Sequence, residues 1–152
     1  MDKNKEIIKE LNDFLRGLNM GHNTFEKYLE KAEDKNLKNE FTKILSIFSS
    51  QKEIIISYIE GLNGDPKDSL GLGGEIASMY EKLKDVFINS DKELLENAIK
   101  AVDMGIPQSK KVITDLERIT ADKSMIEALN NMIAEYEMSS KSLHKIYQGV
   151  EK

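Results

Sequence analysis

Residues 61–93 read GLNGDPKDSLGLGGEIASMYEKLKDVFINSDKE, and they separate two pairs of long apolar stripes. Gly64-Asp65-Pro66 stops the helix before it, because proline has no N–H to donate and crowds the preceding turn. Ser90-Asp91-Lys92-Glu93 opens a new helix as a capping box, in which the Ser90 hydroxyl and the Glu93 carboxylate each satisfy a free backbone N–H. Between the two signals lies a connection long enough to run the length of a helix. It carries a short amphipathic segment of its own, with Ile76, Met79, Tyr80, Leu83 and Phe87 at helical spacing.

On the N-terminal side, Ile7, Leu11, Phe14, Leu18, Phe25 and Leu29 recur at three and four residues, and Leu37, Phe41, Ile44, Phe48, Ile55, Tyr58 and Leu62 do the same. On the C-terminal side the stripes are Leu95, Ile99, Val102, Ile106, Ile113 and Leu116, then Ile126, Leu129, Ile133, Tyr136, Leu143 and Ile146. Such spacing gives each helix one apolar face. The links within each pair are short. Glu33-Asp34-Lys35-Asn36 offers Asp34 or Asn36 as a cap, and Thr120 to Ser124 offers Ser124 with Glu127 as a second capping box. Short links make antiparallel hairpins, and two hairpins joined by one long crossover make an all-α, ferritin-like four-helix bundle. The spacing predicts helices over about 4–33, 36–62, 91–119 and 123–149, a short fifth over 74–88, and one domain over 1–152.

Pro107 falls inside the third stripe, yet the apolar repeat continues through it in phase from Val102 to Ile113. One helix is expected there, bent rather than broken, with Gly105 easing the bend. A packing accommodation and a functional opening of the bundle both fit that pattern.

Composition narrows the function classes. A chain of 152 residues buries about 70% of its unfolded surface, enough for a core without staples. It has no cysteine, so a thiolate nucleophile, disulfides and sulfur-bound zinc or clusters are excluded. A net charge of −5 with interleaved Lys and Glu leaves no basic face for nucleic acid. The first residues enter an amphipathic helix with no apolar signal core, and the longest aliphatic run is Ile54-Ile55-Ile56, far short of a membrane span. A soluble cytoplasmic protein is expected. The dominance of Lys over Arg, with Arg16 and Arg118 the only arginines, suggests an AT-rich bacterial source.

Near the middle of each stripe the apolar spacing is filled by something small or polar: Gly21 and His22, then Gln51, then Gly105 and Ser109, then Ser139 and Ser140. A shared polar level inside a bundle is where metal sites are built.

The chain also resembles a bacterial family of ferritin-like four-helix bundles of unassigned biochemical role, a domain of unknown function. The likeness rests on Leu11-Asn12-Asp13, Gly21-His22-Asn23-Thr24-Phe25, Leu62-Asn63-Gly64-Asp65-Pro66, Leu70-Gly71-Leu72-Gly73-Gly74, Leu83-Lys84, Glu93-Leu94-Leu95-Glu96 and His144, in that order and spacing along the whole chain. It implies a bundle with a short crossover helix, often dimeric, and no particular reaction.

Ferritin-like iron proteins place a Glu on each of two helices and a Glu-x-x-His pair on each of the other two. Here the corresponding first-helix position falls on Met20 or Gly21, and the second-helix pair on Gln51 and Ile54. The third position falls near Gly105, with Asp103 the nearest acid and out of phase, and the fourth pair on Lys141 and His144. One His survives, and a Lys ammonium stands where a ligand carboxylate belongs. No intact di-iron site is expected, and no cofactor.

A reduced site remains as an alternative. If His22, Gln51 and His144 face inward together, they would hold a single transition metal ion. The competing reading makes them hydrogen-bonded members of a polar layer. Ser109, Ser139 and Ser140 read as small residues admitting close helix approach, and no Ser, His and Asp set is arranged to activate a hydroxyl. The glycines of Leu70 to Glu75 lack the preceding strand that a phosphate loop needs. Met20, Met79, Met104, Met125, Met132 and Met138 read mostly as core fillers. Glu26 with Lys31, and Glu137 with Lys141, read as a solvated face.

Two function classes follow. The first is a non-enzymatic bundle with a degenerate di-iron site, acting as a homodimer or a module for an unknown protein partner. The second is a metal- or small-ligand-binding protein in stress or metal handling.

Overall fold

The computed structural model describes residues 2–67, 90–119 and 121–151, and the short helix expected over 74–88 lies outside them. Four helices account for nearly all of the described chain: α1 (Lys3–Lys31), α2 (Lys35–Gly61), α3 (Asp91–Arg118) and α4 (Lys123–Glu151). Their bounds fall within two residues of those read from the apolar spacing. α3 runs through Pro107 without a break.

The caps explain where each helix begins. Asp2 accepts from Asn4 N–H, and Ser90 accepts from Glu93 N–H at 3.2 Å, the hydroxyl half of the expected capping box. Of the two acceptors offered for the second helix, Asp34 takes the role, at 2.9 Å from Leu37 N. The Ser124–Glu127 box is corrected. Asp122 caps α4 instead, with its carboxylate accepting the Ser124 hydroxyl at 2.8 Å and its carbonyl accepting Ile126 N–H at 3.1 Å. Ser124 sits inside the helix, so its own backbone is already helical.

α2 ends in a Schellman turn. Asn63 adopts a left-handed φ of 61°, which lets its N–H reach Glu60 O and the Gly64 N–H reach Ile59 O, both at 2.9 Å. A Cβ on Gly64 would stand 2.9 Å from Ile8, so the missing side chain lets α1 lie against this turn. Asn12 fastens the turn from the α1 side: its Oδ1 accepts Lys67 N–H at 2.7 Å and its Nδ2 donates to Asp65 O at 3.2 Å. Asn12 is buried. Replacing it with Ala strands backbone groups in the interior, and Asn12→Ala is expected to cost about 2 kcal/mol in urea unfolding.

The two hairpins, α1–α2 and α3–α4, pack face to face, α1 on α3 and α2 on α4, with α2–α4 the least extensive seam. At one end the Asp91 carboxylate, in the first turn of α3, accepts Glu33 N–H at 3.0 Å and Asp34 N–H at 2.7 Å from the α1–α2 link. The start of α3 thus lies beside the end of α1, whereas Asn12 places the end of α2 beside the start of α1. A helix of 29 residues is about 43 Å long, so the chain between α2 and α3 must return the length of the bundle. That is the ferritin-like crossover topology.

Leu11, Leu15, Leu18, Phe25, Leu37, Phe41, Ile55, Ile59, Leu94, Leu95, Leu116, Leu129 and Leu143 are among the fully buried core. Met20, Met125 and Met132 join them, but Met138, read from the sequence as a filler, is 69% exposed. Buried Tyr136 and Ser139 on either side of it mark the inward face of α4, and Met138 points away from that face.

Candidate functional site

The polar level expected at mid-bundle is mostly an aromatic one. Phe25 from α1 stands edge-on to Tyr28 (5.3 Å between ring centroids, 74°) and to Phe41 of α2 (5.6 Å, 76°). It also lies 5.8 Å from Phe48, whose ring is in turn 5.8 Å from Tyr136 on α4. These rings bridge three of the four helices. Gly21 is buried beneath them, and a Cβ built there would sit 2.8 Å from Phe48 Cζ. Absence of a side chain at Gly21 is therefore a packing requirement of the Phe48 ring.

Gln51 is the polar side chain most deeply placed in this layer, 1% exposed. Its Nε2 donates to Glu135 Oε1 at 3.0 Å and to Met132 O at 3.4 Å across the α2–α4 seam. Its Oε1 is buried without a hydrogen-bond partner among the described residues. Such an orphan acceptor costs about 1–3 kcal/mol of desolvation, partly offset by the two bonds its amide makes.

The histidines do not join Gln51 or each other. His22 lies on the α1–α2 seam, with Nδ1 2.6 Å from Glu26 Oε1 and Nε2 3.2 Å from Ser49 Oγ. With Nδ1 donating to the carboxylate, Nε2 is left to accept the serine hydroxyl. His144 lies on the opposite seam, α3–α4, half exposed, with Nε2 3.5 Å from Asp103 Oδ2. Asp103 also accepts the Ser140 hydroxyl at 2.6 Å. Asp103 is exposed at the edge of α3 that borders α4, away from the bundle interior. Glu26 pairs with His22 rather than with Lys31, and Glu137 reaches Lys110 of α3 (4.0 Å) rather than Lys141.

The other positions corresponding to iron ligands divide in the same way. Met20 and Gly21 are buried and carry no ligand atom suited to iron. Ile54 and Lys141 face solvent, as does His144. Among the described residues no three or more His, Asp or Glu side chains converge on a point where an ion would sit. This donor set does not fit a di-iron centre, which needs several inward carboxylates to balance the charge of two metal ions.

Two features escaped the reading of the sequence. One is a carboxyl pair between α1 and α3. Burial, then the neighbouring Asp115, push the Glu10 carboxyl above its ordinary value, with Lys9 opposing and Asp13 adding to the rise. The folded protein holds this proton at a pH where the unfolded chain has released it, so the contribution of Glu10 to stability is greatest at acid pH. It falls as pH rises through the raised folded value. Glu10→Gln is expected to raise stability by about 0.5 kcal/mol at pH 7, the scale of a relieved like-charge pair, with the gain disappearing near pH 4. Urea midpoints at the two pH values check this.

The other is a cavity of about 50 Å³ between α1 and α3, reaching Phe48 of α2 and Tyr136 of α4. Gly17 of α1 and Gly105 of α3 form part of its walls, Phe14, Leu18, Phe48, Val102, Val112 and Tyr136 make it apolar, and Asp13, Gln108 and Ser109 line it as well. Gly17 lies outside the apolar stripe of its helix and Gly105 fills a skipped position in another, and the gap depends on how two helices far apart in sequence are aligned.

A ferritin-like, diiron-carboxylate protein from Bacillus anthracis str. Ames, of known crystal structure, is similar over 97% of this chain and 99% of that one. The TM-score is 0.75 at 18% identity, so the likeness is one of fold. No curated protein matches the chain in sequence. The family model described as a domain of unknown function, DUF2383, matches residues 6–115. That span takes in α2 whole and nearly all of α1 and α3, and the chain accordingly belongs to the DUF2383 family, built as a ferritin-like four-helix bundle.

Proposed function

We propose that this protein is a non-enzymatic ferritin-like bundle with a degenerate di-iron site, working in the cytoplasm as a homodimer or partner-binding module. The observation that carries the reading is the ring of Phe48 seated on Gly21, where the first-helix carboxylate of an iron site would stand. A carboxylate cannot be accommodated there without rebuilding the aromatic layer. A metal site made of His22, Gln51 and His144 lacks such support, since the three side chains occupy three different seams. The surface reading is supported by Ile54 and Met138, the large apolar side chains left exposed among the described residues, which lie on the adjoining helices α2 and α4.

Metal content after anaerobic incubation with Fe(II), Mn(II) and Zn(II) tests the first half of the proposal, with His22→Ala/His144→Ala as the control. Background metal in both proteins is expected. Stoichiometric metal that disappears in the control would overturn the reading in favour of a reduced metal site. Sedimentation velocity tests the second half: a dimer is expected, converted to monomer by Ile54→Lys/Met138→Lys.

A further inference from the structure

We propose that the cavity between α1 and α3 is a binding site for a small, compact apolar molecule bearing one hydrogen-bonding group. Its volume is about 50 Å³, and Gly17 of α1 and Gly105 of α3 both stand in its wall. An alanine methyl at Gly17 would meet no atom within 4 Å, although Gly in a helix interior costs about 1 kcal/mol relative to Ala. Space is therefore kept at Gly17 at a cost to helix stability, whereas the Gly21 position is filled by a ring. Most of the lining offers water no polar partner, so a guest with a hydrocarbon part competes well for the space.

The lining says which guest. Phe14, Leu18, Phe48, Val102, Val112 and Tyr136 supply an apolar chamber that admits a few heavy atoms. Gln108 and Ser109 are half-buried at its wall, with side chains that make no hydrogen bond among the described residues. An amide and a hydroxyl beside an apolar chamber suit the hydroxyl, amine or carbonyl of a ligand whose hydrocarbon part is branched or short. Asp13, the acidic group of the lining, is already engaged by Lys9 at 3.3 Å and by Arg16 at 3.2 Å. A charged head is therefore not called for. The site shares no residue with His22, Gln51 or His144, and its success or failure is independent of the metal test.

Methyl-region NMR of the full chain, titrated with xenon and with 2-methylpropan-1-ol, tests the proposal. Saturable shifts are expected at Leu18, Val102 and Val112 with both probes. Gly17→Leu fills the chamber and is expected to weaken both at least tenfold without lowering the melting temperature. Should that variant melt early, Gly17→Ala, which adds one methyl to the same wall, is expected to weaken xenon binding severalfold. Gln108→Leu/Ser109→Ala is expected to weaken the alcohol severalfold while leaving xenon unchanged. Shifts that do not saturate, or that persist unchanged in the Gly17 variants, would overturn the site. An alcohol affinity unaffected in the Gln108/Ser109 variant would overturn the assignment of the polar group.

Discussion

Phe25→Ala is expected to lower the unfolding free energy by about 3–5 kcal/mol, the range for removing a buried aromatic side chain. Three arguments place it there. Phe25 is 1% exposed, so the transfer contribution is nearly complete. Its ring touches Tyr28, Phe41 and Phe48, and each edge-on or tilted contact adds to the area term. The resulting hole cannot close easily, because the neighbours are rigid rings fixed on two helices and Phe48 is already pressed against Gly21. Urea unfolding followed by far-UV circular dichroism gives the number. A loss below about 1 kcal/mol, typical of a surface site, would mean that the aromatic layer is not the keystone of the core.

Gln51→Glu carries the second large effect and bears on chemistry as well as stability. The substitution puts a carboxylate where an iron-binding bundle would have one, next to Glu135 across the seam and in a position that is 1% exposed. The new charge is buried beside a like charge. A penalty of about 3 kcal/mol is expected at pH 7. Protonation of the buried acid relieves it, so the folded-state value is raised, and stability should return as pH falls toward the ordinary carboxylate range. Gln51→Leu, which removes the orphan oxygen along with the amide, should be close to neutral. If Fe(II) or Mn(II) restored the stability of Gln51→Glu at pH 7, the layer would still be able to assemble a metal site, contrary to the proposed function.

Much of the architecture was legible because each helix presents its apolar residues at a period that nothing else produces, and because link lengths differ sharply between and within the hairpins. The cap of α4 was less legible, since Asp122 and Ser124 both suit the position. Only the path of the backbone entering the helix distinguishes them. Met138 was misread because methionine is common in cores. Counting from Tyr136 to Leu143 by threes and fours passes through Ser139 and Ser140 and leaves position 138 outside. The site was harder for a different reason. Periodicity places His22 and His144 on the margins of their stripes but does not say which neighbouring helix each margin meets. The Glu10–Asp115 pair and the Gly17–Gly105 cavity arise from the pairing of α1 with α3, across a connection that carries no information about axial alignment.

The grip of Asp91 on the amides of Glu33 and Asp34 supplies that information physically. Ridges and grooves on packed helices tolerate displacement by one turn, about 5.4 Å, at modest loss of apolar contact. A carboxylate bonded through both oxygens to two successive amides does not. A one-turn slip of the α3–α4 hairpin would carry it clear of both donors together. Asp91 therefore acts as a detent: it turns a sliding contact between two smooth cylinders into a single indexed stop, and every juxtaposition across α1 and α3 inherits its position from that stop.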